Sequence, residues 1–269
     1  MKPCISEATT LSSSFADDVN SYADAGCSAL EVWLTKLETH LEKHSGADTR
    51  KLLEDRQMTL AAASYQGGLL LSQGEQRKAH YDHFKRRLDL CQSFDISTLL
   101  VAADFVDRVD ATGLQRAVVS LTQAAQWASA FAVRLALEFR GSAAFCSSLD
   151  TALALIAQCG EANVGVNLDV FHYYTGPSKF EDLALLSRDN LAFVQLCDVL
   201  GVPRELAVDS DRILPGEGDF RLQAIVQQLR AIGYDGWVSL ELFNPTLWQL
   251  KPAQVAELGL ASLQRLLHP

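Results

Sequence analysis

Eight short apolar segments, separated by longer segments of helical periodicity, constrain the fold of this chain more than any other feature of its sequence. The apolar segments lie at residues 4–10, 29–34, 59–65, 98–105, 134–141, 164–171, 191–199 and 236–243. Helical candidates between them include SFADDVNSYADAG, EQRKAHYDHFKRRLDLCQSF and GLQRAVVSLTQAAQWASAF. Strict alternation of strands and helices predicts a parallel sheet with helices packed outside it.

Eight such units in 269 residues predict a single (β/α)₈ TIM barrel, a fold that commonly spans about 250 residues. We therefore expect one domain over residues 1–269. The alternative is an open doubly wound sheet, which would need a glycine-rich phosphate loop after an early strand. Neither GxGxxG nor GxxxxGK[ST] occurs in the sequence. In the last unit, Asp219 is expected to cap a helix that ends at Gly233.

Charge and composition limit the partners. A formal net charge of -10, with no basic run, disfavours nucleic acid. No apolar run approaches the roughly 18 residues of a membrane span, and the N-terminus lacks an apolar signal core, so a cytoplasmic location is expected. The six cysteines form no CxxC pair, which favours reduced, buried thiols. A small molecule is the expected partner, and a homo-oligomer is an open alternative.

Several of the apolar segments carry an acid or an amide where the predicted strand ends. Glu138 lies in LALEF, Asp169 in VNLDV, Gln195 and Asp198 in VQLCDV, and Glu241 in VSLELF. Active residues of a TIM barrel occupy the C-terminal strand ends, and neighbouring strands lie about 4.8 Å apart. Glu138, Asp169, Gln195 and Glu241 can therefore share one point. A divalent metal is the simplest way to neutralise three carboxylates there.

The alternative for these acids is structural. Each could cap a nearby loop or pair with an arginine, for example Arg134, Arg140 or Arg212. The long polar segment 201–220 follows the seventh predicted strand, and its length suggests a functional loop. Arg212 is its best binder of an anion or a hydroxyl, with a salt bridge to Asp209 or Asp211 as the alternative.

Other residues near strand ends are candidates for binding substrate. His172 lies three residues after Asp169 and could be a metal ligand, a substrate contact or a donor to Asp169. The tyrosines at 173 and 174 could contact substrate or pack within a loop. Tyr65 ends the third strand beside two glycines that allow close approach, and Glu31 could line the barrel interior. Tyr65, Glu31 and Arg212 are thus the predicted substrate-binding residues.

These segments resemble the xylose isomerase-like TIM barrel superfamily, specifically its sugar phosphate isomerases and epimerases, over nearly the whole chain. The resemblance is carried by LEVWL, LALEFRG, VGVNLDVFHYYTG, FVQLCDV, DSDRILPGEGDF and GYDGWVSLELFNP. It implies one divalent metal bound by a Glu, an Asp, a His or Gln and a second Glu, which correspond to Glu138, Asp169, Gln195 and Glu241. The family's histidine three residues after the aspartate corresponds to His172, and its arginine before PGEG corresponds to Arg212, which the resemblance implies contacts substrate.

One position departs from the sugar epimerases, which usually have histidine where this chain has Gln195. With glutamine at this position, the chain resembles the dehydratase branch, which includes the 3-dehydroshikimate and inosose dehydratases. The segments DSDRILPGEGDF and SLELFNP also resemble that branch.

The chemistry of such a site predicts a metal-dependent isomerase or epimerase of a sugar or keto-polyol. A metal would stabilise the enediolate formed when the carbon next to a carbonyl loses its proton. Glu138 and Glu241 could exchange that proton across the site. In the alternative, a dehydratase, His172 protonates a leaving hydroxyl. A catalytically silent barrel or a nuclease-like relative is the third hypothesis, although the additional histidines of a nuclease are absent from the strand ends. Oxygen ligands favour Mg²⁺ or Mn²⁺, with Co²⁺ or Zn²⁺ as alternatives.

Overall fold

The computed structural model describes residues 1–268. Within them, eight parallel strands form a closed barrel in chain order, which confirms the predicted TIM barrel. The strands are β1 (Lys2–Ser6), β2 (Ala29–Trp33), β3 (Thr59–Gln66), β4 (Thr98–Ala102), β5 (Arg134–Glu138), β6 (Val164–Asp169), β7 (Leu191–Leu196) and β8 (Trp237–Leu240). Their side chains are buried almost without interruption, as expected for a parallel sheet covered on both faces.

Nine α-helices lie in the described part of the chain. They are α1 (Phe15–Asp24), α2 (Leu34–Leu41), α3 (Gly46–Asp55), α4 (Gly74–Ser93), α5 (Ala111–Ser129), α6 (Leu149–Cys159), α7 (Val170–Thr175), α8 (Leu222–Ala231) and α9 (Pro252–Leu267). The alternation is weakest after β6, where α7 has only six residues and is followed by a 3-10 helix at Phe180–Leu185. None of the helices among residues 1–268 has the length and apolarity that a membrane crossing requires.

The contacts group the chain into two compact units. One consists of residues 1–63 and 195–268. In it, β1 pairs in parallel with both β2 and β8, so that Ile5 stands beside Leu30 on one side and Leu240 on the other. All three side chains are fully buried. Helix α9 packs against β1 and α1 and covers the outside of these strands.

The other unit consists of residues 64–194. Here β5 pairs in parallel with β4 and β6, which aligns Leu135 with Leu99 and Val164. The same register places Glu138 beside Asn167. Helices α5 and α6 pack against these strands. Helix α6 ends at Gly160, whose φ of 72° is the left-handed conformation that favours glycine after a helix.

Two boundaries differ from the sequence prediction. The first apolar segment was expected to be extended over residues 4–10, but residues Glu7–Thr10 form a 3-10 helix because the Ser6 hydroxyl accepts from the Ala8 N–H. Asp219 was expected to cap α8, yet Arg221 stands at the cap position and the Asp219 carboxylate accepts instead from the Gly201 N–H at 2.9 Å. The prediction of a single domain over 1–269 stays a prediction, and its last residue lies outside the described chain.

All six cysteines are buried and unbridged, as expected. Burial raises the pKa of the Cys91 and Cys146 thiols to about 12, so both stay protonated and unreactive at neutral pH.

Candidate active site

Glu138 and Asp169 are the last residues of β5 and β6, and both are buried. The strands continue to these positions because their preceding residues pack on both faces of the sheet. The Asp169 carboxylate caps the helix that follows, since its Oδ1 accepts from the Phe171 N–H at 2.9 Å. This cap turns the chain at once into α7 and fixes where the next side chains lie.

His172 lies in the short helix α7 that Asp169 caps, and it is buried as well. Its Nε2 stands 3.7 Å from Asp169 Oδ2. Ligand atoms of Glu138, Asp169 and His172 all lie within 4.8 Å of one another. The structure therefore brings together three of the residues that the sequence singled out.

The chemistry of this group fits a divalent cation. Two carboxylates and an imidazole are buried at neighbouring strand ends, where uncompensated negative charge would be costly. A bound cation removes that cost, and carboxylate oxygen and imidazole nitrogen are ordinary ligands of divalent ions. These three side chains can thus hold a divalent metal. Two carboxylates and an imidazole do not by themselves distinguish one divalent ion from another.

Asn167 holds Glu138 in place and was not identified from the sequence. Its Nδ2 donates to Glu138 Oε1 at 3.2 Å. Asn167 lies two residues before Asp169 on β6, so both side chains emerge on the same face of the strand. A polar residue at that spacing inside VGVNLDV is the signal that would have identified it.

Gln195, Glu31 and Glu241 form a second polar cluster, within the unit of residues 1–63 and 195–268. Gln195 is on β7, Glu31 is on β2, and Glu241 follows β8 by one residue. The Gln195 Nε2 donates to Glu31 Oε1 at 2.9 Å and to Glu241 Oε1 at 2.7 Å. All three side chains are buried, and Glu31 and Gln195 are completely inaccessible to solvent.

Arg212 joins this cluster rather than extending into solvent, with only 1% of its surface exposed. Its Nη1 donates to Glu241 Oε2 at 3.1 Å, and its Nε and Nη2 donate to Asp209 Oδ1 at 3.0 and 2.8 Å. The guanidinium also lies over the Phe243 ring, 5.5 Å from its centre. The predicted salt bridge to Asp209 is therefore present, together with a contact to a predicted site residue, Glu241.

Asp198 organises the loop that carries Arg212. Its carboxylate accepts three backbone N–H groups, from Val199 at 3.0 Å, Gly216 at 2.9 Å and Phe220 at 2.9 Å. A Cβ at position 218 would clash with the same carboxylate, which explains the glycine there. The loop of residues 201–220 is thereby tied to the end of β7.

The tyrosines near these clusters differ in their surroundings. Tyr65, near the end of β3, is 39% exposed and available for contact with a ligand. Tyr173 donates from its hydroxyl to the Lys179 carbonyl at 2.9 Å, and burial, followed by the charges of Asp182 and Glu181, raises its pKa to about 12. This contact favours the interpretation that Tyr173 packs the loop. Tyr174 is half-buried.

The family pattern described as Xylose isomerase-like TIM barrel matches residues 19–266. The chain belongs to this family. The match spans both halves of the barrel and every strand from β2 to β8. The sequence resemblance to this superfamily is therefore confirmed.

Two named enzymes are similar to this chain over most of its length. The inosose isomerase of Bacillus velezensis is 26% identical over 258 residues, which cover 93% of this chain and 91% of that protein. The 3-dehydroshikimate dehydratase of Pseudomonas aeruginosa is 25% identical over 240 residues, 87% of this chain but only 37% of that longer protein. Because its relatives are named isomerases and dehydratases, this family member is an enzyme.

A solved structure shows the same fold. A crystal structure of IOLI protein with a binding zinc atom superposes with a TM-score of 0.93 at 23% sequence identity. The superposition covers 99% of this chain and 98% of that one. The described barrel therefore has the same fold as that structure.

A cavity of about 490 Å³ lies elsewhere, beside α2 and the start of α1. Its lining includes Trp33, Lys36 and His40, and none of the predicted site residues. The Lys36 ammonium is 2.6 Å from Asp18 Oδ2, and burial, followed by the neighbouring His44, lowers the pKa of His40. Neither Lys36 nor His40 therefore offers this cavity a strong positive charge. The acids and the histidine at the strand ends are the better guide to function.

Proposed function

We propose that this chain is a divalent-metal-dependent isomerase or epimerase of a sugar or keto-polyol. The observation that carries the proposal is the convergence of Glu138, Asp169 and His172, which are buried and within 4.8 Å of one another. Buried acids with a histidine suit proton transfer at a charged centre better than they suit fold stability. The inosose isomerase of Bacillus velezensis, a relative along nearly the full chain, supports a cyclic keto-polyol as the substrate class.

The proposed ligands are Glu138, Asp169, Gln195 and Glu241. These residues end or follow β5, β6, β7 and β8, which are consecutive in the barrel order. An oxygen-rich set favours Mg²⁺ or Mn²⁺, and zinc in a structure of the same fold keeps Zn²⁺ and Co²⁺ as alternatives. When bound, the ion supplies positive charge beside the substrate carbonyl and so eases loss of the adjacent proton.

The protein's own groups move that proton. Glu138 and Glu241 are the proposed carriers: one removes the proton from the carbon next to the carbonyl, and the other returns it. Return to the opposite face gives epimerisation, and return to the neighbouring carbon gives aldose–ketose isomerisation. Asn167 keeps Glu138 oriented, while Gln195 and Arg212 keep Glu241 oriented.

Substrate contacts are proposed from Tyr65 and Arg212. Tyr65 has an exposed ring near the end of β3. Arg212 is held in a fixed orientation by Asp209 and Glu241. A guanidinium held this rigidly would select the position of a hydroxyl or carboxylate on the substrate.

A dehydratase of a cyclic keto-polyol or of dehydroshikimate is the second candidate. Gln195, in place of the histidine expected of an epimerase, favours it, as does the 3-dehydroshikimate dehydratase of Pseudomonas aeruginosa. Both reactions begin with the same proton removal. In the dehydratase, His172 would then donate a proton to the leaving hydroxyl, and water would be lost.

One screen distinguishes these functions. The protein is stripped of metal, resupplied with Mn²⁺ or Mg²⁺, and incubated in D₂O with ketoses, inosose and 3-dehydroshikimate. An isomerase exchanges the proton next to the carbonyl for deuterium and forms an isomer, both visible by NMR. A dehydratase forms a conjugated enone or a catechol, which absorbs in the ultraviolet. Absence of exchange and product with every substrate, metal present, would contradict the proposal and indicate a catalytically silent barrel.

A further inference from the structure

The cavity beside α2 has the size and the mixed lining of a small-molecule site. Its volume is about 490 Å³, and ligand pockets commonly enclose about 300–1,000 Å³. All of its lining residues belong to the unit of residues 1–63 and 195–268. Along α2 and the turn that follows it, Lys36, His40 and His44 recur in the lining at a spacing of four. Such a spacing places side chains on one face of a helix, so this face forms a continuous wall of the cavity.

Four of the lining residues carry flat rings. The Trp33 ring is partly exposed and is held edge-on against the Phe243 ring, with the ring centres 5.8 Å apart. The His40 ring stacks on the His44 ring at 4.3 Å and is backed by the buried Phe15 ring at 5.0 Å. Rings that hold one another in place lose little conformational freedom when a ligand binds. A ligand with a flat, largely apolar body therefore fits this wall.

The charge of the lining favours an anion. None of the described residues that line the cavity is an aspartate or a glutamate, although acids outnumber lysines and arginines by 33 to 23 in the whole chain. Lys36 is neutralised by Asp18, and the lowered pKa of His40 leaves its ring uncharged at neutral pH. Lys43 is exposed, and its ammonium forms no ion pair within the part of the chain that the structure describes. Lys43 therefore supplies the positive charge that an anion in this cavity would meet.

We propose that this cavity binds a small aromatic carboxylate, whose ring lies against Trp33 and the stacked His40 and His44 rings and whose carboxylate faces Lys43. The proposal does not depend on the function proposed above, because no predicted site residue lines the cavity. An exposed ion pair contributes modestly to affinity, so the ring contact must supply the remainder. Both features are therefore required of the ligand: a flat ring and a negative charge.

Benzoate is the probe, and NMR of ¹⁵N-labelled protein reports its binding through the indole N–H signal of Trp33, which Trp33→Phe assigns. The titration is run at about pH 7.5, where a histidine with an ordinary pKa is mostly neutral. We expect the Trp33 signal to move and to saturate with benzoate. Benzamide has the ring without the charge, and acetate has the charge without the ring, so each should bind more weakly than benzoate.

A charge reversal tests the role of Lys43. Lys43→Glu should raise the Kd for benzoate at least about 5-fold, because an exposed ion pair worth about 2- to 5-fold in affinity is replaced by repulsion. Lys78→Glu is the matched control, since it changes the net charge equally at an exposed lysine of α4 and should leave the Kd unchanged. Trp33→Leu, followed through the backbone amide signals of α2, should raise the Kd about 2- to 10-fold.

Three results would overturn the inference. The first is a Trp33 signal that does not move with benzoate, or that moves without saturating. The second is equal affinity for benzoate and benzamide, which would remove the role of the charge. The third is the same Kd for benzoate in Lys43→Glu and in Lys78→Glu.

Discussion

Asp169 and His172 are three residues apart, yet their proposed tasks differ at the scale of single residues. In the proposed site, Asp169 would contribute a carboxylate charge to the metal, and it caps α7 through the Phe171 N–H. His172 has its Nε2 3.7 Å from that carboxylate, at a distance that allows a ligand or a proton donor. Metal binding and turnover should therefore respond differently when each is replaced.

For His172→Ala we expect the metal to remain and turnover to fall about 10²- to 10⁴-fold, the usual loss when a general acid or base is removed. The measurement is metal content together with kcat for the same preparation. Tyr173→Phe serves as the control and should change kcat little, because the Tyr173 hydroxyl bonds the Lys179 carbonyl. Loss of the metal from His172→Ala would show that His172 is itself a ligand.

Gln195→His tests the choice of ion. Imidazole nitrogen prefers Co²⁺ and Zn²⁺ more than an amide oxygen does, so the ratio of Zn²⁺ to Mg²⁺ affinity should rise in this variant. Competition titrations with the two ions provide the ratio. An unchanged ratio would argue that Gln195 orients substrate or water and does not ligate the metal.

The proposed acidic ligands stand out in the sequence because each acid interrupts an apolar strand, which is costly unless the acid has a partner. Their partners do not stand out in this way. Asn167 contacts Glu138 only because β5 and β6 pair in the register that aligns them. Glu31 and Gln195 are 164 residues apart, and no local pattern connects them. Such contacts depend on the register of strand pairing and on closure of the barrel, and no single sequence segment shows either.

At the scale of elements, the loop of residues 201–220 is held by one side chain. Asp198 accepts the N–H groups of Val199, Gly216 and Phe220 and so fixes both ends of the loop that positions Arg212. The sequence indicated a functional loop from its length but not the residue that organises it. The sequence pattern also predicted that Asp219 caps α8. A capping pattern cannot show that the Gly201 N–H donates to the Asp219 carboxylate instead.

Asp198→Asn should loosen this loop. One carboxylate oxygen becomes an NH₂ group, which leaves a backbone donor without an acceptor at a cost of about 1–3 kcal/mol. We expect lower stability in urea, faster proteolysis within 201–220 and a raised KM. Glu217→Gln, an exposed acid in the same loop, is the control and should behave as the wild type. Equal proteolysis rates for the two variants would contradict this role of Asp198.

At the scale of the whole molecule, strand and helix alternation was sufficient to predict the barrel, because eight short units fit few other closed folds. The sequence did not indicate a buried polar group between β1, α1 and α2. Glu7 and Asp18 are fully buried there, and Lys36 Nζ donates to Asp18 Oδ2 at 2.6 Å. Burial, followed by the charge of Asp18, raises the pKa of Glu7 well above its ordinary value.

The free energy of unfolding should therefore depend on whether the Glu7 carboxyl is protonated. Because the pKa of Glu7 is raised in the folded state, its protonation stabilises the fold. This contribution to the free energy of unfolding is complete below the pKa of an unfolded glutamate and is lost as pH rises through the folded pKa. Glu7→Gln keeps an N–H donor toward Asp18 and has no proton to lose. Between these two pKa values the free energy of unfolding of the wild type should fall by up to about 1.4 kcal/mol per pH unit relative to that of the variant. Urea unfolding between about pH 5 and pH 9 measures the difference. Parallel stability curves would mean that Glu7 is ionised in the fold.

The central claim is that the strand-end acids hold a divalent metal, and metal content tests it most directly. Wild type, Asp169→Asn and the control Asp89→Asn, an exposed acid on α4, are stripped with chelator, dialysed against Mn²⁺ and analysed for bound ion. We predict about one Mn²⁺ per chain in the wild type and in Asp89→Asn, and a large loss in Asp169→Asn, because a carboxylate charge is removed from the ligand set. A wild type without bound metal, or an Asp169→Asn variant that binds Mn²⁺ as tightly as the wild type, would contradict the account.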